Sequence, residues 1–175
     1  DPGSTSQVVW FTPISSMFLH AGLLHLACNL LYLWAFGAAI EQWLGSWRFL
    51  CFYLACGLAA SAFQLASDPD SYVATIGASG AISGVLGAYL VSYPQRGLRL
   101  RWRSIPIIPV PAMFLLLIWI VIQILSGLYH RSAEEGGSAW WAHTGGFLPG
   151  IALARVLRRG PSRAHDCASD SPNPR

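Results

Sequence analysis

The sequence predicts an all-α membrane protein, a bundle of several transmembrane helices. Apolar residues make up 54% of the 175-residue chain and charged residues only 11%, whereas soluble domains contain about 25% charged residues. The apolar residues are gathered in long segments, and a helix needs about 20 of them to cross a bilayer. The chain therefore has room for several spans, and its net charge of +3 is too small to indicate binding to nucleic acid.

The chain divides into three predicted regions. Residues 1–22 are expected to form an outer loop with an interfacial segment around Trp10, Phe11 and Met17. Residues 23–158 form the membrane domain. Residues 159–175 are rich in Ser, Pro and Asp, a composition typical of a disordered tail, which we expect on the cytoplasmic side.

Five spans are predicted within the membrane domain. The first is rich in Leu, Ala and Trp and ends before Gly45, a suitable helix C-cap. The second follows Arg48, and the fourth is an aliphatic run that begins after Pro111. The fifth opens with Trp140 and Trp141, which favour a membrane interface. The spans are residues 23–44, 49–66, 79–93, 112–128 and 140–157.

The third span is short, and its length bears on function. At about 1.5 Å per residue it covers about 22 Å, less than a hydrocarbon core of about 30 Å. A helix that starts below the membrane surface leaves irregular backbone at membrane depth, which is tolerated only beside protein or a water-filled cavity. The sequence therefore predicts that Ser79, at the start of this span, lies in a recessed, wet pocket.

Arginine placement predicts the orientation. The loop at Arg48, the loop 96–103 and the tail from Arg155 hold nearly all the arginines, while the opposite loops hold Asp68, Asp70, Glu134 and Glu135. Positive residues favour the cytoplasmic side. We therefore expect a multi-pass protein, in a bacterial cytoplasmic membrane, whose first, third and fifth spans begin at the outer face.

Ser79 and His143 are the candidate nucleophile and general base. Ser79 stands between Gly77-Ala78 and Gly80 at a span start, where unpaired backbone N–H groups suit a developing oxyanion. An imidazole near neutral pH can take the hydroxyl proton. Ser83, one turn deeper, is the rival nucleophile. No acidic residue within the spans lies near this pair, since Glu41 is on the far side, so a Ser/His pair is the simplest arrangement.

Small residues could bring the two spans together. Gly80 and Gly84 mark one face of the third span, and Gly146 and Gly150 have the spacing that allows close contact between helices. Packing of these two faces against each other would bring the side chain of His143 close to that of Ser79.

His25 and Asn29 are candidate oxyanion donors. They are one helical turn apart and share a face, and both can donate hydrogen bonds without carrying charge. His20 precedes them and could support the loop or the site.

The cysteines do not indicate a metal site. Cys28, Cys51 and Cys56 lie in apolar segments, and no CxxC or Cys/His metal spacing is present. We expect these three side chains to be small buried hydrophobes.

Three motifs in order resemble those of the rhomboid intramembrane serine proteases. They are HAGLLHLACN at 20–29, GASG at 77–80 and AHTGGF at 142–147, and EQWLG at 41–45 followed by Arg48 is similar to the family's turn between spans. The resemblance covers residues 10–158. It implies a rhomboid-like helical bundle of six spans, of which the first is missing here.

The resemblance also implies a mechanism. Ser79 would be the nucleophile and His143 the base of a dyad, with His25, Asn29 and the Ser79 N–H at the oxyanion. Substrates would be transmembrane proteins cleaved near the outer membrane face, without metal or organic cofactor. Some members carry a tyrosine one turn after the nucleophile that stacks on the base, but Ser83 stands there in this chain. Another group is therefore expected to orient His143.

Two other functions remain open from the sequence. A non-catalytic relative would bind or escort membrane helices, although the intact Ser79 and His143 disfavour it. A transporter or channel would use polar residues as a pathway, but intramembrane carboxylate pairs and broken-helix repeats are missing from the sequence pattern.

Overall fold

The computed structural model describes residues 11–69, 75–96, 101–102, 105–106, 111–129 and 139–158. The predicted tail at 159–175 and residues 1–10 of the predicted outer segment lie outside these residues. Seven α-helices occur within the described ranges. They are α1 (Thr12–Ser16), α2 (Leu23–Tyr32), α3 (Ala38–Leu44), α4 (Ser46–Ser67), α5 (Ser79–Ser92), α6 (Ala112–Tyr129) and α7 (Trp140–Arg158).

The connections between helices follow from local sequence. A π-helical turn, Leu33–Gly37, joins α2 to α3, so Leu23–Leu44 forms a single 22-residue helical segment. Gly45 ends α3 with φ of 81°, a left-handed conformation that favours glycine. Between α5 and α6, β1 (Arg101–Trp102) and β2 (Ile105–Pro106) pair antiparallel, with Arg101 opposite Pro106 and Trp102 opposite Ile105.

Three helical segments in the described chain are long and apolar enough to cross a membrane: Leu23–Leu44, Ser46–Ser67 and Ala112–Tyr129. The other two predicted spans are helices but differ in kind. Helix α5 is apolar yet only 14 residues long. Helix α7 has 19 residues, but His143, Thr144 and its glycines lower its hydropathy. Both can be shorter or less apolar because protein, rather than lipid, covers much of their surface.

Helix α5 is the centre of the bundle. Every residue from Gly80 to Tyr89 is buried, and α5 packs most extensively against α7 and then α4, while α7 also packs against α4 and α6. The central helix is rich in Gly, Ala and Ser, so its neighbours approach closely. The predicted all-α membrane fold is confirmed.

Burial distinguishes apolar residues that the sequence pattern leaves alike. Met17 is 3% exposed and packs against Gly57, where a Cβ would overlap its thioether, while its position at the membrane interface stays a prediction. Of the three cysteines in the described residues, Cys56 is buried, but Cys28 and Cys51 are exposed, so the prediction that these two are buried is wrong. The outer faces of membrane helices are apolar because they meet lipid, so an apolar setting does not indicate burial inside the protein.

Candidate active site

Ser79 is placed by the turn that precedes α5. Gly77 has φ of 111°, a conformation that side-chain-bearing residues rarely adopt, and its N–H donates to the Ser16 carbonyl at 2.9 Å. This bond ties the turn to the end of α1. Ser79 is the first residue of α5, so its own N–H has no acceptor within the helix. The turn therefore presents a hydroxyl and a free backbone donor at the same point.

His143 lies in the first turn of α7 and faces Ser79. Its Nε2 is 3.0 Å from Oγ of Ser79, within the distance at which an imidazole can take a hydroxyl proton. The residues are 64 positions apart in the chain, so only the packing of α7 on α5 brings them together. Both side chains are partly buried, and both line the same cavity.

The close approach of α5 and α7 depends on the predicted glycines. A Cβ on Gly146 would overlap the carbonyl oxygen of Gly80, and a Cβ on Gly150 would overlap the backbone of Gly84. The contact continues at Gly87, where a Cβ would overlap the carbonyl of Phe147. The glycine faces predicted from the sequence therefore meet each other in the structure.

His25 and Asn29 lie on α2, next to the Gly77 turn. A Cβ on Gly77 would lie 2.7 Å from Cε1 and 2.8 Å from Nε2 of His25, and 3.5 Å from Nδ2 of Asn29. Asn29 is buried, and its Nδ2 has no hydrogen-bond partner among the described residues. The ring of His20 packs edge-on against His25 with centroids 5.2 Å apart. These contacts place two side-chain donors beside the turn that holds Ser79.

A cavity of about 330 Å³ is lined by Ser79, His143 and His25, whereas Asn29 is not among its lining residues. Its polar lining includes Ser79, His143, His25, Ser61 and Thr75, and glycines and alanines supply much of the remaining wall. The recessed pocket expected from the short third span is therefore present at the start of α5, and it is large enough to hold water and a small side chain.

Ser83, the rival nucleophile, is engaged elsewhere. Its Oγ donates to the carbonyl of Ser79 at 2.7 Å, and the residue is 1% exposed. A serine that bonds the carbonyl one turn back is a common helix arrangement. Since Ser83 does not line the cavity, the geometry favours Ser79.

Two residues of α6 that the sequence analysis did not single out contact His143. Oε1 of Gln123 is 2.7 Å from Nδ1 of His143, and the Trp119 ring lies against the imidazole with centroids 5.8 Å apart. The sequence analysis expected a group other than Ser83 to contact His143, and these two residues do so. Gln123 could have been found from the sequence, because it stands between Ile122 and Ile124 in an apolar helix. A polar side chain in hydrocarbon is as unfavourable there as at the positions that were considered.

Gln64 of α4 is another buried polar residue that the sequence analysis did not single out. It is buried, and its Oε1 accepts a hydrogen bond at 3.1 Å from the N–H of Ala142. Ala142 is in the first turn of α7, where backbone N–H groups need external acceptors. Gln64 thus caps the helix that carries His143. Among the residues that the structure describes, no group of three or more His, Cys, Asp or Glu could hold a metal ion.

The fold and the site together define a class: a polytopic helical membrane protein with a serine and a histidine paired in a cavity of the bundle. A model of the rhomboid domain matches residues 7–160, so the chain belongs to the rhomboid family.

Named relatives agree with this assignment. Rhomboid protease GluP of Bacillus subtilis is 36% identical over 153 residues, which cover 87% of this chain and 27% of that protein. RHOMBOID-like protein 5 of Arabidopsis thaliana is 34% identical over 148 residues, 85% of this chain and 44% of that protein. Rhomboid-type serine protease 2 of Emericella nidulans is 32% identical over 157 residues, 87% of this chain and 28% of that protein. The chain thus spans less than half the length of these relatives.

Proposed function

We propose that this protein is an intramembrane serine endopeptidase that cleaves transmembrane protein substrates near the outer membrane face. The observation that carries the proposal is the 3.0 Å contact between Ser79 Oγ and His143 Nε2 in a cavity of the helical bundle. The names of relatives support the reaction type, since two of them are called proteases.

The first half of the reaction forms an acyl-enzyme. Nε2 of His143 takes the hydroxyl proton as Oγ of Ser79 bonds to the scissile carbonyl carbon. The carbonyl oxygen gains negative charge and is stabilised by the N–H of Ser79 together with His25 and Asn29. The protonated His143 then gives its proton to the amide nitrogen, the C–N bond breaks, and the amine product leaves while the acyl group stays on Ser79.

The second half releases the acid product. A water molecule in the cavity gives a proton to Nε2 of His143 and bonds to the acyl carbon. The oxyanion forms and collapses again, the C–O bond to Ser79 breaks, and the proton on His143 returns to Oγ. The 330 Å³ cavity has room for this water, which a close-packed bundle in hydrocarbon would exclude.

The test is labelling of the full-length protein in membranes with a fluorophosphonate, which reacts with activated serines. Wild type should be labelled, and Ser79→Ala and His143→Ala should both lose labelling, because one removes the nucleophile and the other its base. Ser83→Ala is the matched control and should be labelled like wild type, since its hydroxyl bonds a backbone carbonyl.

Each contrary result has a distinct meaning. Labelling lost in Ser83→Ala but retained in Ser79→Ala would move the nucleophile one turn deeper. A folded wild-type protein that is not labelled would favour the alternative, a catalytically inactive rhomboid-like protein that binds or escorts membrane helices.

A further inference from the structure

His143 makes a polar contact through each of its two ring nitrogens. Nε2 faces Ser79 Oγ at 3.0 Å, and Nδ1 faces the side-chain carbonyl oxygen of Gln123 at 2.7 Å. A neutral imidazole carries one N–H donor and one acceptor nitrogen. A carbonyl oxygen can only accept, so the proton belongs on Nδ1, and the lone pair is left on Nε2, facing the serine.

Building on the proposed function, we propose that Gln123 is the positioning residue of the dyad: its carbonyl oxygen holds His143 in the Nδ1–H tautomer and keeps Nε2 directed at Ser79. Without this bond, the ring could rotate or place its proton on Nε2. In that tautomer it could not take the proton of the serine.

The surroundings of Gln123 support a specific role. Gln123 is 6% exposed on an otherwise aliphatic and aromatic face of α6. A buried amide is costly unless it is hydrogen-bonded, and its carbonyl oxygen bonds His143. Trp119 is one turn earlier on the same face and packs its ring against the imidazole, tilted by 43°. Helix α6 therefore contacts the imidazole of His143 both at Nδ1 and on its ring.

An amide suits this position chemically. In soluble serine proteases a buried aspartate orients the histidine and stabilises the imidazolium that forms. A second charge inside an apolar bundle is expensive. The carbonyl dipole of Gln123 accepts the Nδ1–H in the neutral ring and in the imidazolium, so it fixes the tautomer and favours the charged state without adding a buried charge.

The experiment compares three variants of the full-length protein by the kinetics of fluorophosphonate labelling. Gln123→Met keeps the length of the side chain but removes the acceptor. Gln123→Glu restores an acceptor oxygen, whether or not it is protonated. Leu116→Ala is the matched control, because it weakens the packing of the same helix at a buried apolar residue, 3% exposed, about two turns before Gln123. The maximal labelling rate, the reagent concentration giving half that rate and the unfolding midpoint are measured for each.

The proposal predicts a specific pattern. Gln123→Met should lower the maximal rate on the order of 10²-fold, within the 10²- to 10⁴-fold that general base catalysis contributes, and leave the half-saturating concentration unchanged. Gln123→Glu should recover most of the rate. Leu116→Ala should lower the unfolding midpoint while labelling at a maximal rate close to that of wild type.

Three outcomes would overturn it: Gln123→Met labelled as fast as wild type, Gln123→Glu slowed as much as Gln123→Met, or Leu116→Ala slowed as much as Gln123→Met. The last two would mean that Gln123 only packs α6 against α7. These results differ from failure of the proposed function, in which wild type itself is not labelled.

Discussion

At the scale of single residues, the site combines a hydrogen-bonded pair with a buried donor that has no partner among the described residues. Ser79 and His143 already contact each other, whereas Nδ2 of Asn29 is buried without a partner in the described part of the chain. A buried donor left unsatisfied costs stability. The proposed function accounts for this cost, because an oxyanion donor is needed only for the charge that develops during the reaction.

Asn29→Ala should slow labelling and substrate cleavage by roughly 10²- to 10³-fold, the usual effect of removing one oxyanion donor. Removing Nδ2 should change the unfolding midpoint little, because this atom makes no hydrogen bond with the described residues. Fluorophosphonate labelling kinetics and a thermal unfolding curve on the same sample would show both effects. An unchanged labelling rate would remove Asn29 from the site and leave His25 and the backbone as the donors.

At the scale of helices, the position of the base depends on how closely α7 approaches α5. The glycines on the two helices let the backbone of one lie against the backbone of the other. Backbone atoms cannot move aside as a flexible side chain can, so even one added methyl group should force the helices apart. The same separation would lengthen the contact between Ser79 and His143.

Gly150→Ala should therefore destabilise the protein by about 1–3 kcal/mol, the usual range for overpacking, and should slow labelling of Ser79. Gly22→Ala is the matched control, because Gly22 has extended backbone and no atom within 4 Å of the position of a Cβ. Unfolding midpoints in detergent measure the difference between the variants. Equal midpoints for the two variants would show that α7 can shift without cost.

At the scale of the whole molecule, the starts of α2, α5 and α7 meet around one cavity, at the end of the bundle where α4 finishes. Gln64, near the end of α4, bonds the first turn of α7. The arginine pattern predicts that this end faces outward. Helix α4 has 22 residues and is about 33 Å long, so its two ends should lie on opposite sides of the membrane.

Cysteine labelling checks this orientation. In a background with the natural cysteines replaced by alanine, Pro69→Cys should react with a membrane-impermeant maleimide in intact cells. Ser46→Cys, at the other end of α4, should react only after the cells are permeabilised. Both positions are exposed in the structure. The reverse pattern would mean that the cavity opens to the cytoplasm and that substrates are cleaved near the inner face.

The fold could be predicted well from the sequence because hydrophobic length marks membrane helices directly. Ser79, His143, His25 and Asn29 were identifiable because polar side chains stand out in apolar segments, where each needs a reason. Gln123 and Gln64 meet the same criterion, yet nothing in the sequence indicates what they contact. Their partners depend on which face each helix turns inward.

The sequence by itself determined the class of protein, the positions of its helices and the candidate nucleophile and base. Only the tertiary structure decided how the base is held, since Gln123 and Trp119 reach His143 through the docking of α6 on α7. It also decided which apolar residues are core, such as Met17, and which face outward, such as Cys28. The physical reason is the same in both cases: a helix that is apolar all round carries no pattern that specifies its rotation, and packing with its neighbours sets it.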